Sequence, residues 1–167
     1  MTVQEFVEGY EKISNEKLKE DYIKRNITKE YMPYFEKIVM CRNIAKTTTH
    51  TTEEINDTTQ SFFCENSIDR KMLLHLKIIE FYTNIDIVYD KTIFNQYDVL
   101  LQSKIISLLF QYIDNSEITL INSLLDMALN DIYTNECSVV NWLDNKFKTL
   151  TITSDIIKSI MSEIETE

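Results

Sequence analysis

The chain has 167 residues, 44% of them apolar and 26% charged, with a formal net charge of −10. Those proportions suit a folded globular protein and exclude disorder over most of the length. A single glycine, Gly9, and a single proline, Pro33, exclude the functions whose backbone depends on glycine: phosphate-cradling loops, nucleophile elbows and dinucleotide-binding turns.

The elements follow from the spacing of the apolar residues. Thr2 and Glu5 fit a capping box, and Val3, Phe6, Val7, Tyr10 and Ile13 then recur at helical intervals. Gly9 inside this segment weakens it by about 1 kcal/mol relative to alanine. Ser14 or Asn15 is placed to cap a second, short and very polar helix carrying Leu18, Tyr22 and Ile27. Pro33 suits the first turn of a third helix, with Tyr34, Ile38, Cys41 and Ala45 as its inward stripe and an end near Lys46. Residues 47–60 hold seven threonines, which disfavour helix. A hairpin turning at Asn56-Asp57 is expected near 47–64, a Thr-rich loop over 47–66 being the alternative.

Asn66 or Ser67 caps the most apolar helix, Ile68 to Tyr82, whose residues are apolar on nearly every side. Such a helix is central and contacted all round. His75 lies within it and reads as a core histidine with a satisfied ring. Ile85–Tyr89 is a short irregular link. Thr92 is expected to cap a helix through Leu101, and Ser103 to open another through Ile113. After a turn at Asp114–Glu117, the residues Ile118, Ile121, Leu125, Ala128 and Ile132 form the clearest amphipathic helix. A further element follows Ser138, with Trp142 beside its stripe, and a last helix carries Ile156, Ile157, Ile160, Met161 and Ile164. The tail 163–167 is acidic and expected to fray.

The fold expected is mainly α: one compact domain over 1–167, of about seven or eight helices wound irregularly around the 68–82 helix rather than a regular bundle. The helices at 33–45 and 118–133 are expected to pack against the central one.

The charge is uneven. Residues 1–46 carry nine basic and eight acidic side chains, the remainder eight and nineteen. Between Lys104 and Lys146 lie six acids (Asp114, Glu117, Asp126, Asp131, Glu136 and Asp144) and no base. A nucleic-acid partner needs a basic stripe to neutralise its phosphates, so none is expected. A solvated acidic face is the plain explanation of the span, a face aimed at a basic partner the sharper one. No apolar run approaches the ~18 residues of a membrane span, and the first residues lack the basic-then-apolar pattern of a signal peptide.

Catalytic and metal chemistry finds no purchase. Cys41, Cys64 and Cys137 are odd in number and far apart, reading as buried or half-buried free thiols, and His50 and His75 are 25 residues apart. No Glu-x-x-His pair, calcium loop or close Cys/His set exists. The expectation is no catalytic residue, no metal and no cofactor. Two groupings remain as a candidate partner surface. One is the aromatic cluster Tyr31, Tyr34 and Phe35 around Pro33, with Phe62-Phe63 ending the threonine segment, for which core and boundary packing is the plain explanation and a partner patch the sharper one. The other is the acidic span, with Asp126, Asp131, Glu136 and Asp144.

Val3-Gln4-Glu5-Phe6-Val7-Glu8-Gly9-Tyr10, Tyr31-Met32-Pro33-Tyr34-Phe35-Glu36-Lys37, Asn66-Ser67 before the apolar helix, and Asn130-Asp131-Ile132-Tyr133-Thr134-Asn135-Glu136 before Ser138 together resemble a family of small helical proteins. Tailed phages and prophages of low-GC Gram-positive bacteria encode that family. The resemblance implies a phage origin and carries over no catalytic residue. Two functions lead, the first on this resemblance and the second on the six acids of the base-free span; an enzyme of unrecognised type, signalled by a deep polar pocket holding His75 and a cysteine, is the third. The first is a non-catalytic virion-assembly protein, of the tail assembly chaperone or head–tail completion type, acting in the host cytoplasm or the virion. Its partner is a phage structural protein or a further copy of itself. The second is an acidic inhibitor of a host defence nuclease that mimics nucleic acid.

Overall fold

The computed structural model describes residues 1–55 and 58–136, with the backbone alone at 51–55, 58–62 and 136. The chain divides into two compact units, Met1–Ala128 and Leu129–Glu167, and the core described below belongs to the first. Among the described residues the elements in order are α1 (Val3–Glu11), α2 (Glu16–Asn26), α3 (Tyr34–Thr47), β1 (His50–Ile55), β2 (Thr58–Phe63), α4 (Ser67–Tyr82), α5 (Ile93–Gln102), α6 (Ile105–Tyr112) and α7 (Asn115–Glu136). The protein is mainly helical, as its periodicity predicts. The strands pair antiparallel, from His50 opposite Phe63 to Ile55 opposite Thr58, which realises the expected hairpin. Its turn at Asn56-Asp57, the elements expected after Ser138 and the tail 163–167 lie outside the described residues.

Local chemistry sets the helix ends. The Thr2 hydroxyl accepts from the Glu5 N–H while the Glu5 carboxylate accepts from the Thr2 N–H, closing the capping box. Asn15 caps α2 by accepting from the N–H groups of Lys17 and Leu18, and Asn66 caps α4 by accepting from Asp69 N–H. The α5 start differs from expectation. Thr92 makes no side-chain cap; instead Asp90 accepts from both the Thr92 N–H and its hydroxyl. Ser103 ends α5 rather than opening α6, its hydroxyl returning to Val99 O. The break between the two helices falls at Lys104, whose φ of 59° is left-handed. That strained position normally goes to glycine.

Gly9 is more than a weak point in α1. A Cβ there would lie 2.5 Å from the Tyr22 hydroxyl oxygen, so the missing side chain is what lets α2 lie close to α1. Tyr22 uses that approach to donate to Phe6 O at 3.2 Å.

The principal core joins Val3, Phe6 and Val7 of α1, Ile23 of α2, Met72, Leu76 and Ile79 of α4, Ile85 and Ile87 of the link, Leu100 of α5, and Ile105, Ile106 and Leu109 of α6. The link is tied in by backbone, Thr2 bridging Asp86 and Ile27 bridging Thr83. A second buried stripe of α4, Leu74, Ile78 and Tyr82, lies outside that cluster. This makes α4 the central helix expected, although Ile68 in its first turn is 82% exposed. The α3 helix packs on α4 as expected, and Tyr82 ties α4 to α7 through Glu117.

The α3 helix sits rotated from the expected stripe. Lys37, Cys41, Ile44 and Ala45 are buried, whereas Tyr34 is 54% exposed and Ile38 only half-buried. A lysine takes the core position because Glu117 of α7 meets it there.

Candidate docking groove and its buried anchor

Glu117 is the junction of three elements. Its Oε1 accepts from Lys37 Nζ of α3 at 2.6 Å. Its Oε2 accepts from the Tyr82 hydroxyl of α4 at 2.5 Å and from the Met32 N–H at 3.1 Å. The Lys37 side chain is fully buried and that of Glu117 10% exposed. Tyr31 adds its ring face 4.3 Å from Lys37 Nζ. Burial alone would push the Glu117 carboxyl upward. The hydrogen bonds from Lys37, Tyr82 and Met32, with the Lys37 charge, outweigh it and hold the group below the usual carboxylate range. Tyr82 moves the other way, raised by burial and by bonding to a carboxylate. A buried carboxylate with three donors is a satisfied network, which rigidifies its surroundings. The neighbouring Cys41 thiol donates to Ile121 O of α7 at 3.4 Å, and burial pushes it up to about 11. It is therefore a packed thiol, not a nucleophile.

This anchor holds the start of α3, and with it one wall of a groove between α3 and α4. The groove measures about 410 Å³. Met32, Phe35, Val39, Met40, Ile44 and Phe81 give it an apolar lining, and Lys29, Glu36, Asn43, Lys77 and Glu80 complete it. Met32 belongs to both features, its N–H on Glu117 and its side chain against the groove. Phe35 is 75% exposed and Val39 39%, so α3 presents apolar surface to solvent along the groove. Lys77 pairs with Glu80 at 2.8 Å and stands over the Tyr89 ring at 3.9 Å. Lys29 lies 3.9 Å over Phe81. The apolar share of the lining suits an apolar side chain.

Of the residues singled out from the sequence, Phe35 lines the groove. Tyr34 is exposed on α3 and is not among its lining residues. Asp126 is exposed in the first unit and Asp131 in the second. Of Glu136 only the backbone in α7 is described, and Asp144 lies outside the described residues. The acidic span is not a uniform solvated face, since Glu117 is buried and neutralised by a base from outside it.

His75 is half-buried, with Nδ1 2.9 Å from the Tyr97 hydroxyl and the Phe110 ring edge-on at 5.2 Å. Burial first, and the Lys71 charge second, hold it below the usual histidine range. This is the packed, partnered histidine expected. Cys64 departs from expectation in being exposed. Among the described residues, no group of three or more His, Cys, Asp or Glu side chains is placed to hold a metal, and no helix is long and apolar enough to cross a membrane.

Sequence inspection missed the Lys37–Glu117 pair, although a signal was present. Lys37 stands one turn before Cys41, and Glu117 one turn before Ile121. Each is a lone charge in line with a buried stripe. Comparison with protein-family models, with curated proteins and with solved structures gave no match.

Proposed function

We propose that this chain is a non-catalytic protein-interaction module of phage origin. Its work is virion assembly, in the manner of a tail assembly chaperone or head–tail completion factor, in the host cytoplasm or the virion. The interaction reading is carried by one observation. An apolar groove is lined by a solvent-exposed phenylalanine, Phe35, and by Met32, whose N–H is bonded to the buried Glu117. Aromatic residues in such settings supply most of the energy of protein contacts. The phage reading rests on the sequence resemblance. Acidic mimicry of nucleic acid is the weaker alternative, because Glu117, one of the six acids it would use, is buried against Lys37.

The test is co-expression of the tagged chain with the products of its neighbouring genes. A structural protein should be retained by the wild type and lost with Phe35→Glu. Retention of none of them, or equal retention by both forms, removes the virion-assembly reading.

A further inference from the structure

The groove and its exposed phenylalanine lie on the same helix. Phe35, 75% exposed, lines the groove together with Val39 and Met40 one turn further along α3. An exposed ring beside a groove lets two copies related by a two-fold axis each place the ring in the other's groove. The rim charges allow the same exchange. Lys77 and Glu80 satisfy each other. Glu36 has no ion-pair partner among the described residues, nor has Lys29, which rests on the Phe81 ring. One unpaired acid and one unpaired base complement a second identical rim and favour neither an acidic nor a basic foreign partner.

We propose that the groove is filled by a second copy of this chain in a two-fold dimer. Phe35 of each copy enters the groove of the other, and Glu36 of each meets Lys29 of the other. This rests on the interaction-module reading and names its occupant. The contact is an aromatic centre with a charged rim, and one helix face with its groove belongs at the small end of specific interfaces, below about 1,200 Å² in total. Association is therefore weak and set by concentration. It also carries a salt signature. Two chains of net charge −10 repel at long range, and salt screens that repulsion more than it weakens the close rim pairs. Dimerisation strengthens from low to moderate salt, whereas docking of a basic partner on an acidic chain would weaken.

The experiment is sedimentation equilibrium of the full chain from roughly 1 μM to 1 mM, the span in which weak interfaces populate. The wild type should follow a monomer–dimer equilibrium that tightens with added salt. Phe35→Glu and the milder Phe35→Ala should each weaken it by about tenfold or more. Phe35 is exposed, and unchanged thermal melts confirm intact folding. Glu36→Lys and Lys29→Glu should each weaken association, and the double exchange should restore it. A monomer throughout, a dimer indifferent to both Phe35 variants, or a double exchange no better than the single ones overturns the dimer. The interaction-module reading survives such a result if a neighbouring gene product is still retained through Phe35.

Discussion

Replacing Lys37 by methionine keeps most of the apolar stem of the side chain and deletes its charged end. Glu117 then keeps its bonds from Tyr82 and Met32 and loses the cation at 2.6 Å. Breaking a buried ion pair costs about 3–5 kcal/mol, and the two surviving donors set the expectation at the lower end, about 3 kcal/mol. For a chain of this size that corresponds to a fall in Tm of roughly 6–12 °C. Glu117→Leu is the harsher change. It strands a fully buried ammonium and leaves the Tyr82 hydroxyl and the Met32 N–H without their acceptor, each orphan adding about 1–3 kcal/mol. The double variant Lys37→Met with Glu117→Leu removes the stranded charge and should be more stable than Glu117→Leu alone. The pH dependence has a definite sign. Glu117 titrates below the usual carboxylate range when folded. Its contribution is complete above the unfolded value and disappears as pH falls through the folded one. The penalty of Lys37→Met should shrink across that acid window. Urea unfolding followed by circular dichroism at neutral and acid pH reads all of this. A neutral-pH cost for Lys37→Met below about 1 kcal/mol, or a Glu117→Leu variant no less stable than Lys37→Met, would refute the anchor.

Two further expectations concern other sites. Gly9→Ala ordinarily stabilises a helix by about 1 kcal/mol; here the new methyl meets the Tyr22 hydroxyl oxygen at 2.5 Å, so a loss of about 1 kcal/mol is expected instead. In a Tyr22→Phe background the loss should shrink, and a stabilising Gly9→Ala in the wild type contradicts the close approach of α1 and α2. Cys64 is exposed and Cys41 buried, with the Cys41 thiol pushed up to about 11. Alkylation of the native protein near pH 8, mapped by mass spectrometry, should therefore mark Cys64 quickly and Cys41 only on unfolding. Equal rates would show that α3 and α7 do not close over Cys41.

What could be read from the sequence was what short-range chemistry decides. The capping box at Thr2 and Glu5, the asparagine caps at Asn15 and Asn66, and the all-round apolar α4 all follow from residues within a turn or two of one another. The threonine run gave up its helix for a ribbon for the same local reason. The misses are long-range. The rotation of α3 that buries Lys37 and exposes Tyr34 is set by a carboxylate 80 residues away, so α3's own periodicity could not reveal it. Lys104 takes a left-handed φ where no glycine marks the break between α5 and α6, and Ser103 looked like a start because serine favours both helix ends and turns. The groove was legible only as an aromatic cluster around Pro33. Phe35 proves to line it, while Tyr34, beside it in sequence, points elsewhere on the helix. The acidic span read as one surface until Glu117 was found inside.

Dilution of isotope-labelled protein, followed by amide chemical shifts, tests the role of the groove most directly. Self-docking at α3 predicts concentration-dependent shifts concentrated at 29–44 and 77–81, absent in Phe35→Glu. Shifts confined to the exposed acids of α7, or none at any concentration, would contradict it.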